Sequence, residues 1–537
     1  MSWRNGKSKG RAVEPGPDRP TTQRIVRPLV LIAVVVLAAS LLANSMTKEV
    51  GRDEQMYCTA GALLARGLAI YQDFSYPSQL PYHPLLLSAL YRGLGATHYL
   101  LVGRLVSCIS DILVVVLILL IYRSIFGAFR REGLWFALAA VTLYVFNPLV
   151  DYAAGYAWNH DVVILCVVLS FYVFVTTNLE KRSHLWHVGL MGALLTVATF
   201  MRVTTALVEL LFLGIVLFTA GGSFGRRSRT ALPFSLAGLI VAIWPVWVML
   251  RAPRAFWLNL VRIPALYGQW LHEIGMTFAK VDLTVAALLT PGYLVLVALA
   301  GYFVWTTARG SLRLEAQERR KAILAALLPL SFFVIAYIPP TMWQQYLAVP
   351  VPFVVIALAY PLVALRRRAG QPDGRRRYRM ASYLVAGAAT VSVLANPAVL
   401  SRSPSAFQPA GWTPVELHRV AVDIADDVEE PGRVLTLGPL YALEGGRDIY
   451  PQLACGSIIY RVADQMLRQE REVTHTVGLK TLDEMVRDRP PAAILVGVES
   501  AHFSFLEDPL RRLAGPDWHR GTYQGTFQVY RPPPVGE

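Results

Sequence analysis

The sequence predicts an all-α polytopic membrane domain followed by a small C-terminal α/β domain on the outer face of the membrane. Hydrophobic residues make up 54% of the 537 residues, charged residues make up 16%, and the mean hydropathy is +0.43. Apolar runs recur along residues 25–400, and most are close to the roughly 20 residues that a helix needs to cross a bilayer. This composition and this pattern are typical of a multi-pass membrane protein.

The first apolar run extends from Ile25 to Met46 and is rich in Val and Leu. It is longer than the apolar segment of a typical signal peptide, and further apolar runs follow it. We therefore predict a retained membrane anchor and assign residues 25–400 to the transmembrane domain. The preceding residues 1–24 combine Gly, Pro and mixed charge, which predicts a disordered cytoplasmic tail.

The net charge of +15 is distributed as a topology signal, because Lys and Arg cluster in short loops between apolar runs. No nucleic-acid partner is therefore expected. The tail and five basic loops lie together on the cytoplasmic side only if the chain crosses the membrane about eleven times and residues 80–94 lie in the outer interface. Pro81, Pro84 and a length under about 17 residues favour that placement of residues 80–94. The predicted crossings are 25–46, 99–122, 133–150, 158–177, 185–201, 203–220, 231–250, 284–308, 322–339, 345–365 and 380–400.

The composition changes at about Ser401. Residues 401–537 contain 14 Lys and Arg against 19 Asp and Glu, so this part is acidic, and it begins with a linker rich in Ser, Pro and Gly. Short apolar runs at 433–438, 492–497 and 526–530 predict strands. Helical patterns cover 414–429 and 481–487. We predict an extracytoplasmic α/β domain at 401–537 without a nucleotide-binding motif, cofactor or metal site.

The sequence contains four cysteines, and it does not decide whether any of them form a disulfide bond. Cys108 and Cys166 fall within predicted membrane helices, where a small apolar role is the default. Cys58 and Cys455 are both predicted outside, so a disulfide between them is possible, but the sequence does not decide it.

The eleven-helix topology brings a short set of polar side chains to the outer membrane surface. Carboxylates, cations and aromatic rings are all represented, beneath the predicted soluble domain. The set comprises Asp53, Glu54, Tyr57, Asp73, Tyr76, His83, Asn159, His160, Asp161, Arg202, Arg251, Arg254, Arg262, Tyr267, His272, Trp343, Gln344, Gln345 and Tyr346. Ionisable side chains are costly at this depth, which favours a function for some of them.

This mixture suits the transfer of a sugar from a lipid-linked phosphate to a hydroxyl group. A carboxylate can accept the hydroxyl proton, and cations can stabilise the phosphate that leaves. Structural roles remain open for each candidate: Asp161 as a helix-start carboxylate, His83 as an interfacial side chain, and Arg202 as a headgroup contact. Trp343 and its neighbours could form an aromatic belt. Within the second crossing, Arg104 and Asp111 are one heptad apart, which predicts a structural ion pair.

The order of segments in the first outer loop resembles that of GT-C-type membrane glycosyltransferases, in the branch of protein O-mannosyltransferases and lipid A aminoarabinose transferases. An Asp-containing segment (53–57) follows the first helix, a Gly…Tyr…Asp segment (67–74) comes next, and a Pro-containing segment (81–84) opens the closing helix. The resemblance extends over about residues 25–365. It implies a polyprenyl-phosphate sugar donor, a glycan, lipid or protein acceptor, and contact with membrane lipid.

The resemblance also implies residue roles. Asp53 occupies the position of the catalytic Asp of the family, and Asp161 resembles its second outer carboxylate. Arg202 lies where relatives often have Thr-Lys, a phosphate contact, and His83-Pro84 lies where they have Lys-Pro or His-Pro. The segment Gln345-Tyr346-Leu347, followed by Pro350, is similar to a Tyr-x-Leu-Pro pattern that opens a late helix. Glu54 and Tyr57, in the same loop as Asp53, are predicted to bind substrate together with His83, Arg202, Gln345 and Tyr346.

Two other classes remain as alternatives. A transporter or flippase of lipid-linked sugars would also have many helices, but it is expected to place ionisable groups near the midplane in repeated halves. Here the candidates gather at one face and no internal repeat is visible. A non-catalytic envelope protein on the same scaffold is the third possibility. The sequence predicts a glycosyltransferase of the plasma membrane, with a cytoplasmic N-terminus.

Overall fold

The fold is known from a computed structural model, which describes residues 20–179, 181–219, 223–276, 279–309, 314–428 and 432–533. Most of the chain is helical. The helices of the first 400 residues are α1 (Pro20–Thr47), α2 (Arg52–Ala65), α3 (Tyr82–Leu94), α4 (Tyr99–Phe126), α5 (Arg130–Val145), α6 (Pro148–Ala153), α7 (His160–Thr176), α8 (Leu185–Thr199), α9 (Ala206–Thr219), α10 (Phe224–Arg251), α11 (Pro253–Trp257), α12 (Ile263–Glu273), α13 (Lys280–Leu288), α14 (Pro291–Ala308), α15 (Ala316–Tyr337), α16 (Gln344–Ala348), α17 (Val351–Ala357), α18 (Ala359–Arg368) and α19 (Pro372–Ala395).

The chain is a multi-pass membrane protein. Within the described residues, five helices are long and apolar enough to cross a membrane, or up to seven if each of two bent helix pairs counts as one span. Three shorter apolar helices, at 160–176, 185–199 and 203–218, add to the apolar bundle. The eleven crossings stay a prediction. Of the predicted disordered tail, residues 1–19 lie outside the described residues, and residues 20–24 are the first helical residues of α1.

Close helix packing holds the bundle together. A side chain in place of Gly192 on α8 would collide with the backbone of Phe234 on α10, so these two helices touch at their main chains. Such small-residue contacts are a usual basis of helix association in lipid. The opposite face of α10 exposes Leu239, Ile240 and Ile243. These side chains have the exposure expected of a surface that faces acyl chains.

The helices α2 and α3 form a layer at one end of the bundle. α1 and α2 are bent by 88° at the break between them. α3 has 13 residues, about 20 Å of helix, and is therefore shorter than the roughly 30 Å hydrocarbon core. Gly61 lets the two helices approach, since an added Cβ there would lie 2.8 Å from Leu87 Cβ. The placement of residues 80–94 outside the spanning bundle agrees with this length.

The C-terminal part is a small sheet with helices. Its elements are α20 (Ala398–Ser401), α21 (Thr413–Asp426), β1 (Arg433–Thr436), α22 (Pro439–Glu444), β2 (Asp448–Ile449), α23 (Ser457–Tyr460), α24 (Arg468–Thr474), α25 (Leu482–Asp488), β3 (Ala493–Val496), α26 (Asp508–Leu513), β4 (His519–Tyr523) and β5 (Phe527–Arg531). The strand order is β2-β1-β3-β5-β4. β1 pairs in parallel with β2 and β3, whereas β5 pairs antiparallel with β3 and β4. The three apolar runs predicted as strands form β1, β3 and β5.

The sheet part docks closely on the layer formed by α2, α3 and the segment between them. Ser75 Oγ donates a hydrogen bond to the carbonyl oxygen of Thr474 at 2.6 Å, and Cys455 Sγ donates to the carbonyl oxygen of Ser75 at 2.9 Å. Leu100 N donates to the buried carboxylate of Glu444 at 2.7 Å. All four cysteines lie within the described residues and are free and buried, so the possible disulfide between Cys58 and Cys455 is not formed.

Candidate active site

The candidate site begins at the bend between α1 and α2. Gly51 has extended backbone and precedes the first turn of α2, which contains Asp53 and Glu54. Two carboxylates in a first helical turn are favoured by the helix dipole. Adjacent residues of a helix point in different directions, and the two carboxylates accordingly have different surroundings.

Glu54 is completely buried and its carboxylate accepts four hydrogen bonds. Arg104 donates to both oxygens, from Nε at 2.9 Å and from Nη2 at 2.8 Å. The backbone amides of Gly51 and Ala157 donate at 2.7 Å each. Because these donors occupy both oxygens, the geometry gives Glu54 a positioning role and does not support the predicted contact with substrate.

Arg104 holds the bend between α1 and α2 through hydrogen bonds to its backbone. It donates to the carbonyl oxygens of Ser45, Lys48 and Glu49, at 3.0, 2.8 and 2.9 Å. The predicted ion pair between Arg104 and Asp111 is wrong, because Arg104 pairs with Glu54, and Asp111 instead accepts a hydrogen bond from Tyr144 Oη at 3.2 Å. The heptad spacing of Arg104 and Asp111 within α4 did not predict the ion pair, because Arg104 forms a tertiary contact with α2 instead.

Asp53 is half-buried, and within the described residues no group donates a hydrogen bond to its carboxylate. Burial raises the pKa of Asp53, whereas the positive charges of Arg52 and Arg461 act in the opposite direction. Four tyrosines also lie within electrostatic range: Tyr57, Tyr152, Tyr267 and Tyr346. A carboxylate with unused acceptor capacity and a raised pKa has the properties of a general base.

Arg202 provides a cation within electrostatic range of Tyr57. Its guanidinium lies 4.8 Å from the ring centroid of Tyr346, and Nη1 donates a hydrogen bond to His160 Nδ1 at 3.1 Å. Since Nδ1 accepts, the proton of a neutral His160 lies on Nε2. In the described part of the chain no carboxylate pairs with Arg202. Tyr57 interacts electrostatically with both Asp53 and Arg202, so the three side chains form one group.

His83 belongs to the same neighbourhood but brings no charge. Its ring contacts that of Tyr57 edge-to-face, with centroids 5.1 Å apart. Burial lowers the pKa of His83 to about 3, so the imidazole is neutral near neutral pH. Neither ring nitrogen makes a hydrogen bond of good geometry with the described residues, although the backbone of Trp158 lies close enough to oppose the fall in the pKa. His83 can therefore offer a neutral N–H group to a ligand but no positive charge.

Asp161 lies apart from the group of Asp53, Tyr57 and Arg202. It is buried in the first turn of α7, and Oδ2 accepts a hydrogen bond from the Gly155 amide at 3.0 Å. Gly155 has a φ of +84°, and a side chain there would collide with Ser45. Lys48 braces the same loop, since Nζ donates to the carbonyl oxygens of Asp151, Tyr152 and Ala154. This geometry gives Asp161 a part in shaping the loop.

Gln345 directly precedes Tyr346, whose ring contacts the guanidinium of Arg202. Its Oε1 is buried and has no hydrogen-bond partner within the described ranges. An unsatisfied buried amide oxygen costs about 1–3 kcal/mol, and such costs are common at functional sites. Gln345 and Tyr346 thus remain candidates for substrate contact.

Sequence reasoning missed three residues around the candidate site. Arg461 and Glu499 come from the C-terminal part, and Lys48 comes from the bend. Each lies in a polar segment without a motif, so no sequence signal singled them out. Across the described residues, no group of three or more His, Cys, Asp and Glu side chains could hold a metal ion.

An apolar helical bundle, a bent first helix that opens a juxtamembrane layer, and a sheet part above that layer together define the GT-C class of membrane glycosyltransferase folds. The structure is similar to that of ArnT from Cupriavidus metallidurans bound to undecaprenyl phosphate, with a TM-score of 0.58, 16% sequence identity, and coverage of 95% of this chain and 98% of that chain. It is also similar to the oligosaccharyltransferase of Archaeoglobus fulgidus in the apo form, with a TM-score of 0.51, 10% identity, and coverage of 95% and 74%.

These similarities show the fold and confirm, at that level, the resemblance that the first outer loop suggested. No family model matches the sequence, and no curated protein matches it. The residues that act in this chain must therefore be argued from its own geometry.

Proposed function

We propose that the chain is a glycosyltransferase that moves a sugar from a polyprenyl-phosphate donor to an acceptor hydroxyl on the outer face of the membrane. One observation supports the proposal: Tyr57 lies within electrostatic range both of Asp53, which accepts no hydrogen bond from the described residues, and of Arg202, which has no carboxylate partner there. A carboxylate that can accept a proton and a cation that can bind a phosphate are the two groups that this reaction requires.

Asp53 acts as the general base. It accepts the proton of the acceptor hydroxyl while that oxygen attacks the anomeric carbon. Burial raises the pKa of Asp53, and the higher pKa makes its carboxylate a stronger base. With one base and no second carboxylate in the group to form a covalent intermediate, direct displacement with inversion is the proposed course.

Arg202 binds the phosphate of the donor. Negative charge grows on that phosphate as the glycosidic bond breaks, and a guanidinium can meet it with two parallel N–H groups. The cation–π contact with Tyr346 and the hydrogen bond to His160 hold the guanidinium in place. His83 and Gln345 add neutral polar groups. Tyr57 lies within electrostatic range of both Asp53 and Arg202.

The other predicted residues shape the site. Glu54 fixes the start of α2 through Arg104, and Asp161 fixes the loop at Gly155. The undecaprenyl phosphate bound to ArnT supports a lipid phosphate as the donor class for a chain with this fold. The acceptor is a glycan, a lipid or a protein of the cell envelope.

The proposed location is the plasma membrane, with a cytoplasmic N-terminus and residues 401–537 outside as an extracytoplasmic domain that follows the transmembrane domain at 25–400. The positive charge of the N-terminal tail and of the short loops supports this orientation. The polyprenyl tail of the donor can then remain in the bilayer while its phosphate reaches Arg202.

The test starts by identifying the substrate. Mass spectrometry of envelope glycans from a deletion strain gives the missing sugar, and the corresponding polyprenyl-phosphate sugar is then offered to the purified chain in lipid. We expect transfer by the parent, a loss of about 10²-fold or more for Asp53→Asn, and parental activity for the control Glu49→Gln, an exposed carboxylate four residues earlier. Movement of the intact donor across vesicles without sugar transfer would favour a flippase. Near-parental turnover by folded Asp53→Asn would refute the assignment of the base.

A further inference from the structure

The C-terminal part contributes a buried arginine to the surroundings of Asp53. Arg461 follows α23, and its side chain is 0% exposed. Nε donates to the carbonyl oxygen of Ser457 at 2.9 Å, and Nη2 donates to Ser457 Oγ at 2.6 Å. The guanidinium lies 4.9 Å from the ring centroid of Trp270 and 5.0 Å from that of Phe503. These contacts fix both the position and the orientation of the charge.

The ion pairs of Arg461 extend to the residue that directly precedes Asp53. Glu499 is the carboxylate that pairs with Arg461, at 3.7 Å, and it also pairs with Arg52, at 3.1 Å. Two guanidiniums thus share one carboxylate, and both interact electrostatically with Asp53. Asp53 directly follows Arg52 in the first turn of α2, so it lies beside this cluster of Arg52, Glu499 and Arg461.

We propose that Arg461 and Glu499 are positioning residues for Asp53, so that the C-terminal domain is part of the active site and sets the charge of the base. The inference rests on the proposed function, in which Asp53 accepts the hydroxyl proton. It extends that function because it gives the domain a specific task in the reaction.

The remaining groups that face Asp53 do not replace this effect. Glu54 and Tyr57 lie on α2, and the charge of Glu54 is neutralised by Arg104. The other neighbours are the neutral phenols Tyr152 on α6, Tyr267 on α12 and Tyr346 on α16. Arg52 belongs to the cluster itself.

The two positioning residues should act on the pH dependence in opposite directions. Arg461 favours the charged form of Asp53, so its removal raises the pKa of the base, and the acidic limb of kcat/KM moves to higher pH. Glu499 opposes the two cations, so its neutralisation leaves a larger positive charge beside Asp53 and moves the acidic limb to lower pH. An opposite charge within a few ångströms typically moves a carboxyl pKa by about 1–3 units.

The experiment measures pH–rate profiles of sugar transfer by the purified full chain in lipid. We expect Arg461→Met to move the acidic limb upward by about one pH unit or more, with activity recovering at high pH, and Arg461→Lys to keep a nearly parental limb. Glu499→Gln should move the limb downward. The exposed pair Arg468 and Glu472 on the same domain supplies controls, Arg468→Met and Glu472→Gln, with parental profiles.

A purely structural role would lower activity equally at every pH, and that result for both Arg461→Met and Glu499→Gln would overturn the inference. Shifts of both limbs in the same direction would also overturn it. If Arg461→Met does not fold, Glu499→Gln and Arg461→Lys decide the question by the same criteria. Failure of the proposed function is a separate result, because it would appear as retained turnover in Asp53→Asn, whatever the profiles of the other variants.

Discussion

Neutralising Glu54 tests whether the two adjacent carboxylates of α2 have the separate roles that their contacts indicate. In Glu54→Gln the size of the side chain is kept, but an NH2 group replaces one oxygen that accepts hydrogen bonds. Four donors from Arg104, Gly51 and Ala157 converge on the native carboxylate, so at least one N–H would face another donor. Arg104, which is completely buried, would also lose its counter-ion.

The expected cost is about 3–5 kcal/mol of unfolding free energy, the range for breaking a buried ion pair by removing one partner. This corresponds to a roughly 10²- to 10⁴-fold lower ratio of folded to unfolded chain. Asp53→Asn should change the unfolding free energy by less than about 1 kcal/mol, since no hydrogen bond from a described residue is lost, while its sugar transfer falls by about 10²-fold or more.

The assay compares the two variants and the parent in one lipid or detergent system. Unfolding is followed by denaturant titration, and sugar transfer is normalised to the folded fraction. Glu54→Gln should lose stability and retain more activity per folded molecule than Asp53→Asn. A Glu54→Gln variant as stable as the parent, or an Asp53→Asn variant that loses as much stability as Glu54→Gln, would refute the division of roles.

Three further predictions concern the phosphate site, a histidine and the topology. Arg202→Ala should weaken use of the donor strongly and Arg202→Lys should retain part of it, because the charge survives but the planar fork does not; parental consumption of donor by Arg202→Ala would contradict the assignment. Burial lowers the pKa of His83 to about 3, below the unfolded value of about 6.5, so this group should reduce stability as pH falls from about 6.5 toward 3. In denaturant titrations at several pH values, His83→Gln should therefore show a smaller loss of stability over that interval, and an unchanged loss would contradict burial of a neutral imidazole. Alkaline phosphatase fused after Pro409 should be active in cells, whereas a silent fusion there with an active cytoplasmic reporter would contradict an outer location for the C-terminal domain.

Local sequence order was enough to suggest the resemblance of the loop after the first helix and to make Asp53 a candidate. A carboxylate directly after an apolar run, then Gly and Pro segments in order, is a pattern that neighbouring residues create among themselves. The strands β1, β3 and β5 were predictable for the same reason, since each is an apolar run. β2 has two residues and β4 is mostly polar and exposed at the edge of the sheet, so neither leaves a hydrophobic pattern.

The partners of the site residues could not be predicted. Glu54 and Arg104 are 50 residues apart, whereas Asp111 is only seven residues from Arg104 and therefore was the more obvious partner. Arg461 comes near Asp53 only because the C-terminal part docks on the layer of α2 and α3. The neutrality of His83 likewise follows from burial, which the residue type alone does not reveal.

The hydrogen bond from Cys455 Sγ to the Ser75 carbonyl has a practical consequence for measuring motion. Burial raises the pKa of the Cys455 thiol, and alkylating reagents react with the thiolate, so the docked protein should be silent toward a membrane-impermeant maleimide. Any separation of the sheet part from the layer of α2 and α3 would expose this sulfur to solvent. The rate of Cys455 alkylation would therefore measure how often the two domains separate, with Cys455→Ser as the control. No label would have to be introduced, because the cysteine is native to the chain.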